Sequence, residues 1–266
     1  LRMLSTEGEE GGGGVAEERA APQQPIAHVE DAALILARVA QDVDSVAGLL
    51  RAGALPTLVA RCRSEKEGEE AAATQHRVAA ACAIALCNLS TTNDRGAFDP
   101  YVGELVALVR RAPSSPDTAA PLARMIANLA ASTVASKTML AENGALEAVH
   151  ATLSALLRGE ASLATPLPIG AAEELLGALA TLACRHGANA QRLAELGVVP
   201  LALELLGEEA EADAAVVEGC ATMLANMFDA EPALVAALER EERDGLGDVI
   251  TREAHAAYRL SAVLSS

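Results

Sequence analysis

Metal binding, nucleophilic attack and phosphate capture each need particular side chains at particular spacings, and this chain is poor in all of them. Its five histidines, His28, His76, His150, His186 and His255, are scattered, without the i, i+4 pair that sets two imidazoles on one helix face for zinc. The two lysines, Lys66 and Lys137, stand outside any Gly-x-x-x-x-Gly-Lys phosphate loop, and there is no Gly-x-Ser-x-Gly elbow to expose a serine nucleophile. Cys184 and His186 are two residues apart, a spacing at which helical side chains do not face each other. Glu173-Glu174 and Glu208-Glu209 read as solvated helix ends, with no pocket to make acid and base of them. The expectation is a protein without catalytic residues, cofactor, metal or small-molecule substrate.

What does recur is a five-residue phrase. Leu86-Cys-Asn-Leu-Ser90 returns as Ile126-Ala-Asn-Leu-Ala130 and Leu224-Ala-Asn-Met-Phe228, with degenerate copies at Leu36-Ala-Arg-Val-Ala40 and Leu179-Ala-Thr-Leu-Ala183. The third position is therefore Arg38, Asn88, Asn128, Thr181 and Asn226 in turn, at steps of 50, 40, 53 and 45 residues. Echoes at such a period mean a repeat array, in which each unit buries its apolar face against the next.

Each phrase closes a predicted helix. Val78, Ala81, Cys82, Ala85, Leu86 and Leu89 follow one helix face, and Ala79, Ala80, Ala83 and Ile84 make the other sides apolar too, so this helix is expected to be buried almost all round. Ahead of it stand a short helix, about Asp42 to Arg51, a stop at Gly53, and a middle helix with Pro56 in its first turn. Ser64 to Ala73 reads as a solvated loop, with Thr74 capping the long helix. The Gly boundary recurs at Gly144 and Gly197, each time with a Leu (Leu49, Leu140, Leu193) four residues before it. One unit departs: Pro100 replaces the Gly, the first helix shrinks to a turn around Asn93 to Phe98, and Asp117 or Thr118 caps the third helix. Extra residues gather between middle and third helices, at Ser64 to Ala73 and Gly159 to Pro168. After Phe228, Asp229-Ala-Glu-Pro232 reads as a cap for a terminal unit whose last helix runs from about Asp248 to Leu264.

Composition agrees with an all-α class. Of the 266 residues 51% are hydrophobic but only 2% aromatic, the apolar content being mainly Ala, Leu and Val, which pack helices closely. Residues up to about Ala27 form an acidic, Gly-rich leader with too little apolar surface to repay ordering. The units then run 28–40 (partial), 41–92, 93–131, 132–187, 188–229 and 230–266. Residue 1 is Leu, which reads as a fragment, a processed product or a domain of something longer. Leu1-Arg-Met-Leu-Ser-Thr6 is similar to the tail of a mitochondrial presequence, which keeps an organelle open beside the cytoplasm. The five cysteines, Cys62, Cys82, Cys87, Cys184 and Cys220, are odd in number, lack a Cys-x-x-Cys pair and read as small hydrophobes in a reducing compartment. The formal charge is −17, and from Glu195 onward there are 15 acidic and 4 basic residues. Such a surface repels nucleic acid and anionic membranes and attracts basic partners.

A three-helix unit of roughly 40–47 residues, with Gly after the first helix and Asn near the end of the third, resembles the armadillo repeat. The resemblance covers about Val29 to Ser266. It implies a right-handed α-solenoid of about four such repeats with partial terminal units, whose third helices line a concave groove. There the Asn commonly bonds the backbone of an extended peptide, a role that falls on Asn88, Asn128 and Asn226, with Arg38 and Thr181 interrupting the ladder. Importin-like members place a Trp four residues before the Asn; here those positions hold Ile84, Arg124 and Thr222, which sets this chain apart from nuclear-import-signal binding of that kind. An Asn in this place also has a plainer use, bonding a carbonyl of its own or the adjacent repeat and so ordering the stack. Two functions follow: a non-enzymatic scaffold that holds an extended or helical segment of another protein, its basic end toward the last repeats, or a permanent structural subunit of a large axonemal, mitochondrial or other organellar assembly.

Overall fold

The computed structural model describes residues 26–63, 69–114, 116–158, 169–207 and 214–236. The acidic leader, most of the two predicted insertions, Glu208-Glu209 and the predicted last helix lie outside the described residues. The chain divides into two compact units, one ending at Phe98 and the other beginning at Asp99. Among the described residues all regular structure is helical.

The first unit is built around one long helix. Four helices follow in order: α1 (Ile26–Val39), α2 (Val43–Arg51), α3 (Ala54–Arg63) and α4 (Glu69–Leu89), with α4 packed against both α1 and α3. Val78, Ala81, Cys82, Ala85, Leu86 and Leu89 are all buried, the face that their spacing predicts. The other sides are largely buried too, Ala79 and Ala83 buried and Ala80 half-buried; the exception is Ile84, 40% exposed on an open stripe with Arg77 and half-buried Asn88. A helix between two neighbours has a third side, and apolar residues alone do not supply a partner for it.

Between α2 and α3 the backbone turns through Gly53, whose φ of +75° puts it in the left-handed region that a Cβ disfavours. Thr74 caps nothing here, because α4 begins at Glu69, five residues earlier. The run of glutamate and alanine from Glu69 to Ala73 favours helix, so it extends α4 rather than forming a loop. Gln75 instead closes the end of α3, its Nε2 donating to the Arg61 carbonyl at 3.0 Å.

The second unit repeats the same grammar. A 3-10 turn, Arg95–Tyr101, which begins in the first unit and ends in the second, stands where a short first helix would be, with Pro100 inside it. Then come α5 (Val102–Arg111), α6 (Ala119–Ala130), α7 (Val134–Glu142), α8 (Ala145–Leu157), α9 (Ile169–Ala183), α10 (Gly187–Glu195), α11 (Val198–Gly207) and α12 (Ala214–Ala230). The third helices form one layer, α6 against α9 and α9 against α12, while α5 and α8 pack behind them. Leu175, Leu176, Leu179 and Leu182 of α9 are fully buried in the middle of that layer. α12 approaches α9 closely at Gly219, where a Cβ would meet Leu176 Cβ at 3.1 Å. Gly144 and Gly197 turn the chain at φ +80° and +82°.

Two expected caps fall differently, and one unexpected cap is present. Thr118 precedes α6 but makes no side-chain cap bond to it, the entry being a 3-10 turn, Pro116–Thr118. Asp229 lies inside α12, and the following turn is closed by Glu231, whose Oε1 accepts from Ala233 N at 3.3 Å. His186, which carries no catalytic pattern, is the N-cap of α10: its Nδ1 accepts from Asn189 N at 3.2 Å and its Nε2 lies 3.0 Å from Thr138 Oγ1. The buried Lys137 of α7 donates its ammonium to the Cys184 carbonyl just past the end of α9, where the helix dipole favours a cation.

Candidate functional site

At two of the five repeated third-helix positions the side chain reaches the preceding third helix. In the first unit, Asn88 Nδ2 donates to the Ala37 carbonyl of α1 at 2.8 Å. In the second, Asn226 Nδ2 donates to the Ala180 carbonyl of α9 at 3.1 Å. Each bond uses one of the two amide N–H groups, and neither Oδ1 accepts a bond among the described residues. Thr181 folds back on its own helix, Oγ1 donating to Gly177 O at 2.8 Å, and Arg38 is exposed. Asn128 is half-buried at the same place on α6. The structure therefore sets Asn128, Thr181 and Asn226 on three helices packed side by side, and Arg38 and Asn88 on a second pair, α1 and α4. The stacking bond weighed for these asparagines is present at Asn88 and Asn226.

One turn before the asparagines the two units differ in chemistry. On α1 and α4 the positions hold Leu34 and Ile84, 48% and 40% exposed. Two cross-helix bonds bracket them: Arg77 Nε donates to Glu30 at 3.1 Å on one side and Asn88 bonds Ala37 on the other, with Leu34 and Ile84 each between the bonded positions of its own helix. On α6, α9 and α12 the same positions are Arg124, Gly177 and Thr222. With no side chain at Gly177, and a Cβ there meeting nothing within 4 Å, the layer has an open surface cavity of about 340 Å³, its rim the exposed Arg124, Glu173, Glu218 and Thr222. Its walls are Arg124 from α6, Glu173, Glu174, Gly177 and Ala180 from α9, and Ala215, Glu218, Gly219 and Thr222 from α12.

Three carboxylates and one guanidinium thus share this space. Arg124 makes a forked pair with Glu174, Nε to Oε2 at 2.9 Å and Nη2 to Oε1. Glu173 and Glu218 make no ion pair among the described residues. The sequence suggested only solvated helix ends at Glu173-Glu174; that they border a cavity depends on Glu218, forty-odd residues on, and on two glycines, a signal invisible without knowing which helices are neighbours. The arrangement suits a cation with a long stem, whose charge meets Glu173 and Glu218 while its carbons lie over Gly177 and Gly219.

Elsewhere the reactive side chains are held quiet. The Cys62 thiol is pushed well up by its hydrogen bond with Cys82 and by burial, and burial alone pushes Cys220 up to about 12. All five cysteines are free thiols. The His150 imidazole, beside Ser154 on α8, is held below its usual value by burial and by the Arg158 charge. Among the described residues no group of three or more His, Cys, Asp or Glu is placed to hold a metal ion, and no helix is long and apolar enough to cross a membrane.

Stacked three-helix units with a layer of third helices make an all-α repeat solenoid. Among such folds it is the armadillo-like repeat. A designed armadillo repeat protein superposes with a TM-score of 0.65 over 90% of this chain and 95% of its own, at 20% identity. A second, solved in complex with a (KR)4 peptide, gives 0.60 over 90% and 95% at 21% identity. A third, described as computationally designed for modular peptide recognition, gives 0.59 over 88% and 93% at 20% identity. No protein-family model and no curated protein matches the sequence.

Proposed function

We propose that this chain is a non-enzymatic scaffold that holds an extended segment of another protein across the exposed face of its third helices. The observation that carries the reading is the cavity between α6, α9 and α12, lined by Glu173, Glu174 and Glu218. A lysine or arginine of the segment enters it, and the amide of Asn226, half-buried beside Ala180 at the cavity's edge, meets the segment's backbone with its second N–H and its Oδ1. Asn128 stands on the neighbouring α6 of the same layer, with Thr181 as an interrupted rung; in the first unit Asn88 offers its amide by itself, with Arg38 as the interrupted rung. The likeness to a designed protein solved with a basic peptide supports this choice of partner. The charge of −17 sets the surface against nucleic acid and anionic membranes, and the free thiols suit a reducing cytoplasm, with an organelle interior as the alternative.

A permanent place in a larger assembly is the second reading. It is favoured by Leu34, Ile35 and Val39, three large apolar side chains exposed on α1.

Fluorescence anisotropy tests the first reading. The full chain is titrated into labelled (Lys-Arg)4, (Glu-Ser)4 and (Gly-Ser)4 peptides. Saturable binding of the basic peptide alone, weakened by Glu173→Gln with Glu218→Gln and by salt, is expected. Equal binding of all three peptides, or none, refutes it.

A further inference from the structure

We infer that Arg124 is a built-in competitor for the acidic cavity, a specificity-setting residue that occupies part of it in place of the partner's cation. The inference rests on the reading that a basic side chain enters there. The geometry is that of an occupant and a wall. Glu174 is largely buried, its side chain 18% exposed, whereas the Arg124 side chain that reaches across from α6 is 61% exposed. The two N–H groups of the guanidinium meet the two carboxylate oxygens as a fork, the way an arginine of another chain would. The space therefore already holds one guanidinium, from its own chain, against one of its three carboxylates.

Room and charge remain for a second. Glu173 and Glu218 make no ion pair among the described residues, and the space over Gly177 is open. An incoming cation meets these two carboxylates but is repelled by Arg124, and it reaches Glu174 only by displacing the guanidinium. The Arg124 side chain is 61% exposed, so water solvates its guanidinium once displaced, and the incoming cation takes its place against the largely buried Glu174. Arg124 thereby weakens capture of every basic segment and leaves the strongest to segments that replace it fully. The sign of the effect is the distinguishing feature: deleting a residue that lines the site should tighten binding.

The test uses the full chain and a labelled (Lys-Arg)4 peptide at low and at physiological salt. Arg124→Ala is expected to tighten binding about three- to five-fold. Arg124→Lys keeps the charge and should stay within about two-fold of the parent chain. Arg158→Ala makes the same charge change outside the cavity lining and should tighten binding less than about two-fold. Adding Glu174→Gln to Arg124→Ala should remove the gain. If the parent chain binds the peptide but Arg124→Ala binds equally or more weakly, or if Arg158→Ala tightens as much, Arg124 is not a competitor while the cavity reading stands. If neither the parent chain nor Arg124→Ala binds the peptide, the cavity reading falls and this inference with it. Circular dichroism melts of the variants, expected to be unchanged, keep loss of fold apart from loss of binding.

Discussion

Asn88 and Asn226 make the same bond, yet removing them should not cost the same. The Ala180 carbonyl also receives the helical N–H of Cys184 at 3.0 Å, so in Asn226→Ala it loses one of two donors and stays satisfied. The cost should be that of a single net hydrogen bond, about 0.5–1.5 kcal/mol. The Ala37 carbonyl sits at the end of α1, where the Gln41 N–H turns to Arg38 O at 3.2 Å instead of reaching it. Asn88 is then its partner, and Ala37 is buried. Asn88→Ala leaves that carbonyl bare and should cost about 1–3 kcal/mol. Native-state hydrogen exchange is the right assay, since a repeat array need not unfold in one step and a single melting temperature would mix its units. The opening free energy of amides in α1 and α4 should fall by the larger amount in Asn88→Ala, and that of α9 and α12 by the smaller in Asn226→Ala. Equal losses, or a larger one for Asn226→Ala, would show that the carbonyl's other donor does not set the cost.

Leu86→Ala removes a fully buried side chain of α4 and should cost about 2–5 kcal/mol, seen by exchange in α1, α3 and α4 while α9 and α12 keep their protection. Gly144→Ala, at φ +80° with the Arg110 guanidinium over it, should destabilise by about 1–2 kcal/mol in urea titrations, whereas Gly177→Ala, helical and facing open space, should be neutral or stabilising by up to about 1 kcal/mol. His150 is held below its usual value in the folded chain, so its neutral form is favoured; the stability it contributes is present above about pH 6.5 and is lost as pH falls toward the lowered value. His150→Gln should flatten a chemical-denaturation profile between about pH 5 and 7, and an unchanged slope would assign the acid response to other groups.

Local signals in the sequence carried the fold a long way. The i, i+3, i+4, i+7 run from Val78 to Leu89 marks the buried face of α4, and Gly53, Gly144 and Gly197 mark three left-handed turns, because both depend only on a residue and its near neighbours. Ile84 is the one exception on that helix, since hydrophobicity states what a side chain prefers and not whether a neighbour exists to cover it. Thr74 misled because a run of glutamate and alanine prolongs a helix past a good capping residue. The Arg124–Glu174 pair, the Lys137 bond to Cys184 O and the cavity join residues some fifty positions apart. Their recognition needs the pairing of helices and the register between them, which no local pattern contains. The asparagines were found by repetition, but their partners, Ala37 and Ala180, were not, because a main-chain acceptor leaves no trace in residue identity.

That last point bears on how such a chain changes over generations. A bond between two side chains ties the fates of two positions, so that drift at either breaks the join until the other follows. Asn88 and Asn226 reach carbonyls, which every amino acid supplies. The joint is therefore specified from one side, and the receiving unit is free to alter its sequence so long as it keeps a small residue and a helical backbone at that place. Units separated by 50 and by 45 residues share one coupling, and a duplicated unit would dock on its neighbour from the start with no matching mutation required.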